Sequence, residues 1–85
     1  MNIEKFTKKV VHGDGAQWNY AVDKTEGLVS VWVHGGDFIL TWEEYPEGSF
    51  HDESEYIKDE HHQFNSLNEL LSFMDKNAIP LSGFK

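Results

Sequence analysis

Residues 27–42, GLVSVWVHGGDFILTW, decide the fold of this chain. Apolar residues alternate with other residues on both sides of Gly35-Gly36, as in two half-buried strands. The two glycines can adopt the positive φ angles of a two-residue hairpin turn. A shift of one residue would turn a whole strand to the wrong face, so the apolar pattern predicts one register. That register pairs Val33 with Phe38, Val31 with Leu40 and Val29 with Trp42.

A second hairpin is predicted directly upstream. If residues 24–27 form a four-residue loop, large apolar side chains again oppose one another on the same face. The pairs are then Val22 with Val29, Tyr20 with Val31 and Trp18 with Val33.

Residues 3–11 are predicted to form a further strand at the edge of this sheet. Phe6 and Val10 would point towards the apolar face, and Lys8 would interrupt it. Lysines on an edge strand discourage pairing with a second sheet. Residues 13–15, Gly-Asp-Gly, would form the hairpin turn that follows; they lack the lysine and the strand–loop–helix setting of a phosphate-binding loop.

The pattern changes after Trp42. Residues 45–48 carry a turn signal, Tyr-Pro-Glu-Gly. We expect a loop over residues 49–54 and one more strand within residues 55–64. A short helical turn capped by Asp52 is the alternative.

A helix is predicted over about residues 66–77. Leu67, Leu70, Leu71 and Met74 recur at helical spacing, and Ser66 with Glu69 matches a capping box. Asn77 is expected to take the left-handed conformation at the helix end, and Pro80 prevents continuation.

The predicted fold class is α+β: an antiparallel meander of four to five strands with one C-terminal helix packed on one face. Residues 1–85 are expected to form a single domain. Its parts are a sheet over about residues 3–42, an acidic loop or possible strand over 43–64, the helix over about 66–77 and a tail over 78–85.

The composition narrows the classes of function that this chain can have. The chain has 85 residues, a formal net charge of −8 and no cysteine, and its seven basic residues are all lysines. This charge disfavours direct binding to nucleic acid, and the absence of cysteine removes disulfides, thiolate metal sites and thiol nucleophiles. No apolar stretch has the length of a signal peptide or a membrane span. We expect a cytoplasmic protein that does not bind membranes.

The acidic residues are concentrated in one segment, residues 43–60, called here the acidic segment. Such a segment either keeps the chain soluble as a solvated loop or forms a surface complementary to a basic protein. Its eight carboxylates are the candidate partner-binding residues: Glu43, Glu44, Glu47, Asp52, Glu53, Glu55, Asp59 and Glu60.

A second candidate surface is the face of the sheet opposite the apolar one. The predicted registers set Trp32 opposite Ile39 and next to Asn19, with His34 nearby. The pair either stabilises the sheet alone, is covered by the acidic segment, or anchors a partner or a second copy of the chain.

Metal binding and catalysis are not predicted. His51, Asp52, Glu60, His61 and His62 have suitable ligand types, but adjacent histidines on a strand point to opposite faces. No carboxylate pair or nucleophile lies in a recognisable catalytic setting, so we expect no cofactor, no metal and no catalytic residue.

We therefore expect a non-enzymatic binding protein, for example an inhibitor or immunity-type protein, whose acidic segment faces a basic partner. The likeness to such proteins is one of composition only. One alternative is a homo-oligomeric structural or accessory domain that pairs through the Trp32 face. Another is a small-ligand or metal-binding protein that uses the histidines.

Overall fold

A computed structural model describes residues 2–48 and 55–85. It shows an α+β arrangement of one four-stranded antiparallel sheet, in the order β1-β2-β3-β4, and two helices. The antiparallel sheet and the C-terminal helix are therefore confirmed, whereas the predicted number of helices, one, is wrong. The elements are α1 (Ile3–His12), β1 (Ala16–Val22), β2 (Thr25–His34), β3 (Asp37–Pro46), β4 (Lys58–Phe64), α2 (Leu67–Lys76) and a 3₁₀ turn (Leu81–Gly83).

The N-terminal element corrects the predicted edge strand. Residues Ile3–His12 form α1, which begins at the N-cap Asn2, whose side chain accepts a hydrogen bond from the Lys5 N–H at 2.8 Å. Phe6 and Val10 lie four residues apart, so a helix turns both to one side, and both are buried. The same two residues also fit the period of two that a strand has, and for this reason the sequence pattern predicted a strand here.

The β2–β3 hairpin confirms the predicted register. Val31 lies opposite Leu40, and Gly35 and Gly36 have φ angles of 61° and 86°. These are the left-handed values that the two-residue turn requires and that glycine adopts without strain.

The β1–β2 hairpin has a different register from the predicted one. Its turn is the two-residue pair Asp23-Lys24, and Tyr20 lies opposite Gly27. The shift along β2 is four residues, an even number, so the same side chains still face the core. Gly27 explains the register: a Cβ atom there would overlap the ring of Tyr20.

Both helices cover one face of the sheet, called here the inner face. Phe6 and Val10 of α1 pack in one buried cluster with Leu70 and Met74 of α2. The strands contribute the inward residues predicted from the β2–β3 hairpin, and the tail lies against them as expected. These further members are Ala16, Val29, Val31, Leu40, Ile79 and Phe84.

Helix α2 begins as predicted and ends differently. The Ser66 hydroxyl accepts from the Glu69 N–H at 3.2 Å, and the Glu69 carboxylate accepts from the Asn65 N–H at 3.0 Å. At the other end Ala78, with φ 56°, is the left-handed residue, not Asn77. Asn77 instead donates its side-chain N–H to the Phe73 carbonyl at 2.8 Å.

The strand expected within residues 55–64 is present as β4, which pairs with β3. The loop expected over residues 49–54, and the alternative helical turn at Asp52, lie outside the described residues. Helices α1 and α2 have ten residues each. Within the described ranges, no helix combines the length and the apolar character needed to cross a membrane.

Candidate functional site

The outer face of the sheet is the candidate site, because in residues 2–48 and 55–85 both helices pack against the inner face. Strand alternation assigns its members, and directly paired residues share a face. The outer face consists of Gln17, Asn19 and Ala21 of β1; Glu26, Leu28, Ser30, Trp32 and His34 of β2; Asp37, Ile39, Thr41, Glu43 and Tyr45 of β3; and Asp59, His61 and Gln63 of β4.

Trp32 and Ile39 lie opposite each other on this face, as predicted. Gln63 of β4 continues the row, and its side chain donates to the Asp37 carboxylate at 2.5 Å. Ile39 is only 6% exposed, although it is not part of the core cluster on the inner face. The centre of the outer face therefore has its own small apolar row, with a half-buried indole beside a buried isoleucine.

Asn19 does not lie next to Trp32, which corrects the prediction. In the observed β1–β2 register Asn19 is opposite Leu28. The residue next to Trp32 on that side is Gly15, where an added Cβ atom would lie 3.2 Å from the Trp32 Cβ atom. His34 is exposed at the end of β2 and lies opposite Asp37.

The acidic segment does not form one surface. Because it runs along β3 and β4, its described strand carboxylates alternate between the two faces. Glu43 and Asp59 lie opposite each other on the outer face, whereas Glu44 and Glu60 lie on the inner face. Glu47 and Glu55 are exposed beyond the strand ends, and Asp52 and Glu53 lie outside the described residues.

Glu44 is engaged within the fold. The Tyr20 hydroxyl donates to the Glu44 carboxylate and accepts from the Trp42 indole N–H at 2.7 Å. Burial of the phenol, reinforced by the hydrogen bond to Glu44, raises the pKa of Tyr20 to about 12. The Tyr20 hydroxyl therefore links the Glu44 carboxylate to the Trp42 indole.

Glu60, on the neighbouring strand β4, also interacts with side chains of the inner face. Its carboxylate lies 2.8 Å from the His62 Nε2 atom and 3.9 Å from the Lys58 ammonium. Lys58 in turn lies over the Trp42 ring, 3.5 Å from its centroid, in a cation–π contact. Glu44 and Glu60 thus belong to one network of polar and aromatic groups at the end of the inner face, which we call the inner network.

The described residues of the outer face include four carboxylates and no lysine. Glu26, Asp37, Glu43 and Asp59 all belong to it. The seven lysines of the chain lie on α1, in the β1–β2 turn, on the inner side of β4, on α2 and in the tail. They are Lys5, Lys8, Lys9, Lys24, Lys58, Lys76 and Lys85.

Two tyrosines extend this face beyond the predicted pair. The rings of Tyr45 and Tyr56 stack with centroids 5.1 Å apart and an interplanar angle of 29°. Tyr45 lies opposite Glu26, and partial burial together with Glu26 and Glu43 raises its pKa. Tyr45 belongs to β3 and not to the predicted turn. The overlooked signal is the outward alternation of Thr41, Glu43 and Tyr45, which continues β3 past Trp42.

The histidines of β4 are separated by the sheet. The ring of His62 packs against that of Phe73 on the inner face, with centroids 4.4 Å apart and an interplanar angle of 43°, whereas His61 lies opposite Thr41 on the outer face. No group of three potential metal ligands is found among residues 2–48 and 55–85. His51 and Asp52, the other ligands considered, lie outside those ranges.

Comparisons with protein-family models, with curated proteins and with solved structures found no match. The fold and the site define a small α+β domain. Two helices cover the inner face of its sheet, and the outer face is acidic and partly aromatic.

Proposed function

We propose that the chain is a non-enzymatic, cytoplasmic protein-binding domain, of the inhibitor or immunity type, whose outer face takes a basic partner protein. One observation carries this proposal. The outer face combines Trp32, Ile39 and Tyr45 with four carboxylates, has no lysine, and is left uncovered by the helices of the described chain.

The two components of the face have different roles. Aromatic side chains commonly dominate the binding energy of protein interfaces, so Trp32 is the expected anchor. The carboxylates attract lysine and arginine side chains and mainly raise the association rate, which makes binding sensitive to salt. Together they favour a partner with a basic, partly apolar surface.

Charge also favours a different protein over a second copy of this chain. A two-fold dimer through the outer face would bring Glu26, Asp37, Glu43 and Asp59 of one copy against the same residues of the other. Like charges at an interface are repulsive, and no lysine of this face offsets them. The homo-oligomeric alternative is therefore the weaker one.

The inner carboxylates support a binding role rather than catalysis. Glu44 and Glu60 are held by Tyr20, Lys58 and His62. A catalytic carboxylate pair needs room for a substrate between its members. Here both carboxylates are already engaged by neighbouring side chains.

The test is capture of a basic protein from cell extract, followed by binding measurements with that protein in purified form. The double variant E43K/D59K reverses two charges of the outer face. The matched control, E4K/D75K, makes the same change in net charge at exposed positions of α1 and α2. We expect the wild type and the control to bind at low ionic strength, and E43K/D59K to lose binding.

Two results would contradict the proposal. One is equal binding by E43K/D59K and the wild type. The other is loss of binding in E4K/D75K alone, which would place the interface on the helical side.

A further inference from the structure

The two edges of the sheet differ in how the rest of the chain covers them. At β1 the tail pairs with the edge: the Lys85 N–H donates to the Gln17 carbonyl at 2.9 Å, and the Gln17 N–H donates to the Lys85 carbonyl at 3.2 Å. In the part of the chain that the structure describes, β4 pairs with β3 on one side and has no backbone partner on the other. Such an edge presents N–H and C=O groups that a further strand can bind.

The sequence of β4 is suited to pairing with a second copy of itself. Two copies related by a two-fold axis would pair their β4 strands antiparallel, with residues of the same face opposite one another. The register centred on His61 pairs all seven residues of β4. Its pairs are Lys58 with Phe64, Asp59 with Gln63, Glu60 with His62, and His61 with itself. Glu60 and His62 therefore meet twice, once on each side of the axis.

Charge favours this register over its neighbours. Registers that keep every residue on its own face differ by steps of two residues. One step sets Glu60 opposite Glu60, and the step in the other direction sets His62 opposite His62. Each of these steps leaves only five residues of β4 paired. Because like charges opposite each other are destabilising and unlike groups attract, the charges of β4 disfavour other registers and leave the one centred on His61.

Glu60 and His62 are able to make this contact. Within one copy the Glu60 carboxylate lies 2.8 Å from the His62 Nε2 atom, so the two groups are compatible hydrogen-bonding partners. Their side chains remain 41% and 32% exposed, respectively, which leaves room for a further neighbour. A carboxylate has two oxygens and can accept from a second imidazole. In the dimer two carboxylates and two imidazoles surround the axis on the inner face.

Partly exposed aromatic rings flank these groups. The centroid of the Phe64 ring lies 6.3 Å from that of His62 and 5.3 Å from that of Phe73. None of the three rings is fully buried. Since directly paired residues share a face, the inward side chains of a second β4 would lie beside these rings and cover them. The edge therefore offers apolar contact in addition to backbone hydrogen bonds.

We propose that β4 is a dimerisation edge, which binds β4 of a second copy of this chain antiparallel about a two-fold axis at His61. The two four-stranded sheets then form one continuous sheet. This arrangement differs from pairing through the outer face, because the copies meet edge to edge and the outer face of each copy still points away from the sheet. The proposal goes beyond the binding of a basic partner and does not depend on it.

The first experiment is sedimentation equilibrium of the purified chain over a range of concentrations. We expect a reversible equilibrium between monomer and dimer. The variant His62→Glu sets carboxylates opposite each other at both pairs and should weaken dimerisation at least about tenfold. The matched variant E60H/H62E has the wild-type composition and again opposes a carboxylate to an imidazole, so dimerisation should return. Circular dichroism checks that each variant keeps its sheet and helices.

The second experiment tests the register with single cysteines, since the chain has none of its own. In the proposed dimer the two copies of residue 61 lie opposite each other, with Cα atoms about 4.5–5.5 Å apart, a separation that a disulfide spans. The two copies of residue 63 are offset by four residues, about 14 Å along the strand. Under mild oxidation His61→Cys should form a covalent dimer, and the control Gln63→Cys, at an exposed position of the same face, should not.

Three results would overturn the proposal. The first is a wild type that stays monomeric up to about 1 mM, which would leave the edge without a second copy as its partner. The second is a dissociation constant of His62→Glu equal to that of the wild type. The third is equal cross-linking of His61→Cys and Gln63→Cys, or none of His61→Cys. All of these measurements are made without a basic partner, so they are independent of the test for one.

Discussion

The inner network and the outer face use the same kind of residue for opposite purposes. Glu44 of β3 accepts a hydrogen bond from Tyr20 of β1, and Glu60 interacts with Lys58 and His62 of its own strand β4. Their sequence neighbours Glu43 and Asp59 lie on the other face, directly opposite each other. Strand alternation thus divides a run of acidic residues between the two faces of the sheet. The difference can be tested by matched substitutions.

The largest difference between the two faces is expected at adjacent residues of β3. Leu40 is fully buried on the inner face, and Leu40→Ala should lower the free energy of unfolding by about 2–5 kcal/mol through lost burial and the cavity left behind. Thr41→Ala, on the outer face, should change it by less than about 0.5 kcal/mol. Urea denaturation of both variants measures this, and similar losses would contradict the assignment of faces.

The inner network should show the next largest effect. Tyr20→Phe leaves the Trp42 indole N–H and the Glu44 carboxylate without their shared hydroxyl, so we expect a loss of about 1–2 kcal/mol in unfolding free energy. The matched outer-face change, Asp59→Asn, should have no comparable cost. A stable Tyr20→Phe variant, measured by the same denaturation, would show that the network does not hold the strands.

The inner network should also give the protein a specific sensitivity to high pH. The pKa of Tyr20 is raised from 10.0 to about 12 on folding, so the folded state holds this proton more tightly than the unfolded state. The contribution is complete below pH 10 and is lost as the pH rises to about 12. Stability measured over this window should fall more steeply in the wild type than in Tyr20→Phe. Parallel curves would contradict the Tyr20–Glu44 interaction.

The smallest expected effect is an increase, not a decrease, in the free energy of unfolding. Asp59 lies directly opposite Glu43, and like charges in cross-strand pairs are destabilising. Asp59→Lys should therefore raise the free energy of unfolding by about 0.5 kcal/mol while it weakens binding to a basic partner. A variant that is less stable, or that binds such a partner as well as the wild type, would break the contrast between the faces.

Much of the fold follows from local patterns, and the errors have physical causes. The β2–β3 register was predictable because Gly35-Gly36 permits one short turn and every inward pair is apolar. The β1–β2 register was not, because Gly27 looks like a loop residue, whereas it makes room for the ring of Tyr20. Helix α1 was missed because Phe6 and Val10 satisfy both periods, and the N-cap Asn2 was the overlooked signal.

The candidate site was predictable to the extent that the β2–β3 hairpin determines it. Trp32 and Ile39 followed from that register, and Asn19 was misplaced because the β1–β2 register was wrong. The acidic segment was treated as one surface because the continuation of β3 through Tyr45 was not foreseen. That Gly15 is the neighbour of Trp32 depends on the path of the chain between α1 and β1, which no local pattern specifies.

We propose that the outer face is the surface through which this protein binds its partner. The most direct test maps the contact on the ¹⁵N-labelled chain with the captured basic partner in purified form. We expect the largest NMR shifts at the Trp32 indole N–H and at the amides of Leu28, Thr41 and Asp59, with those of α1 unchanged. Shifts confined to α1 and α2 would contradict it.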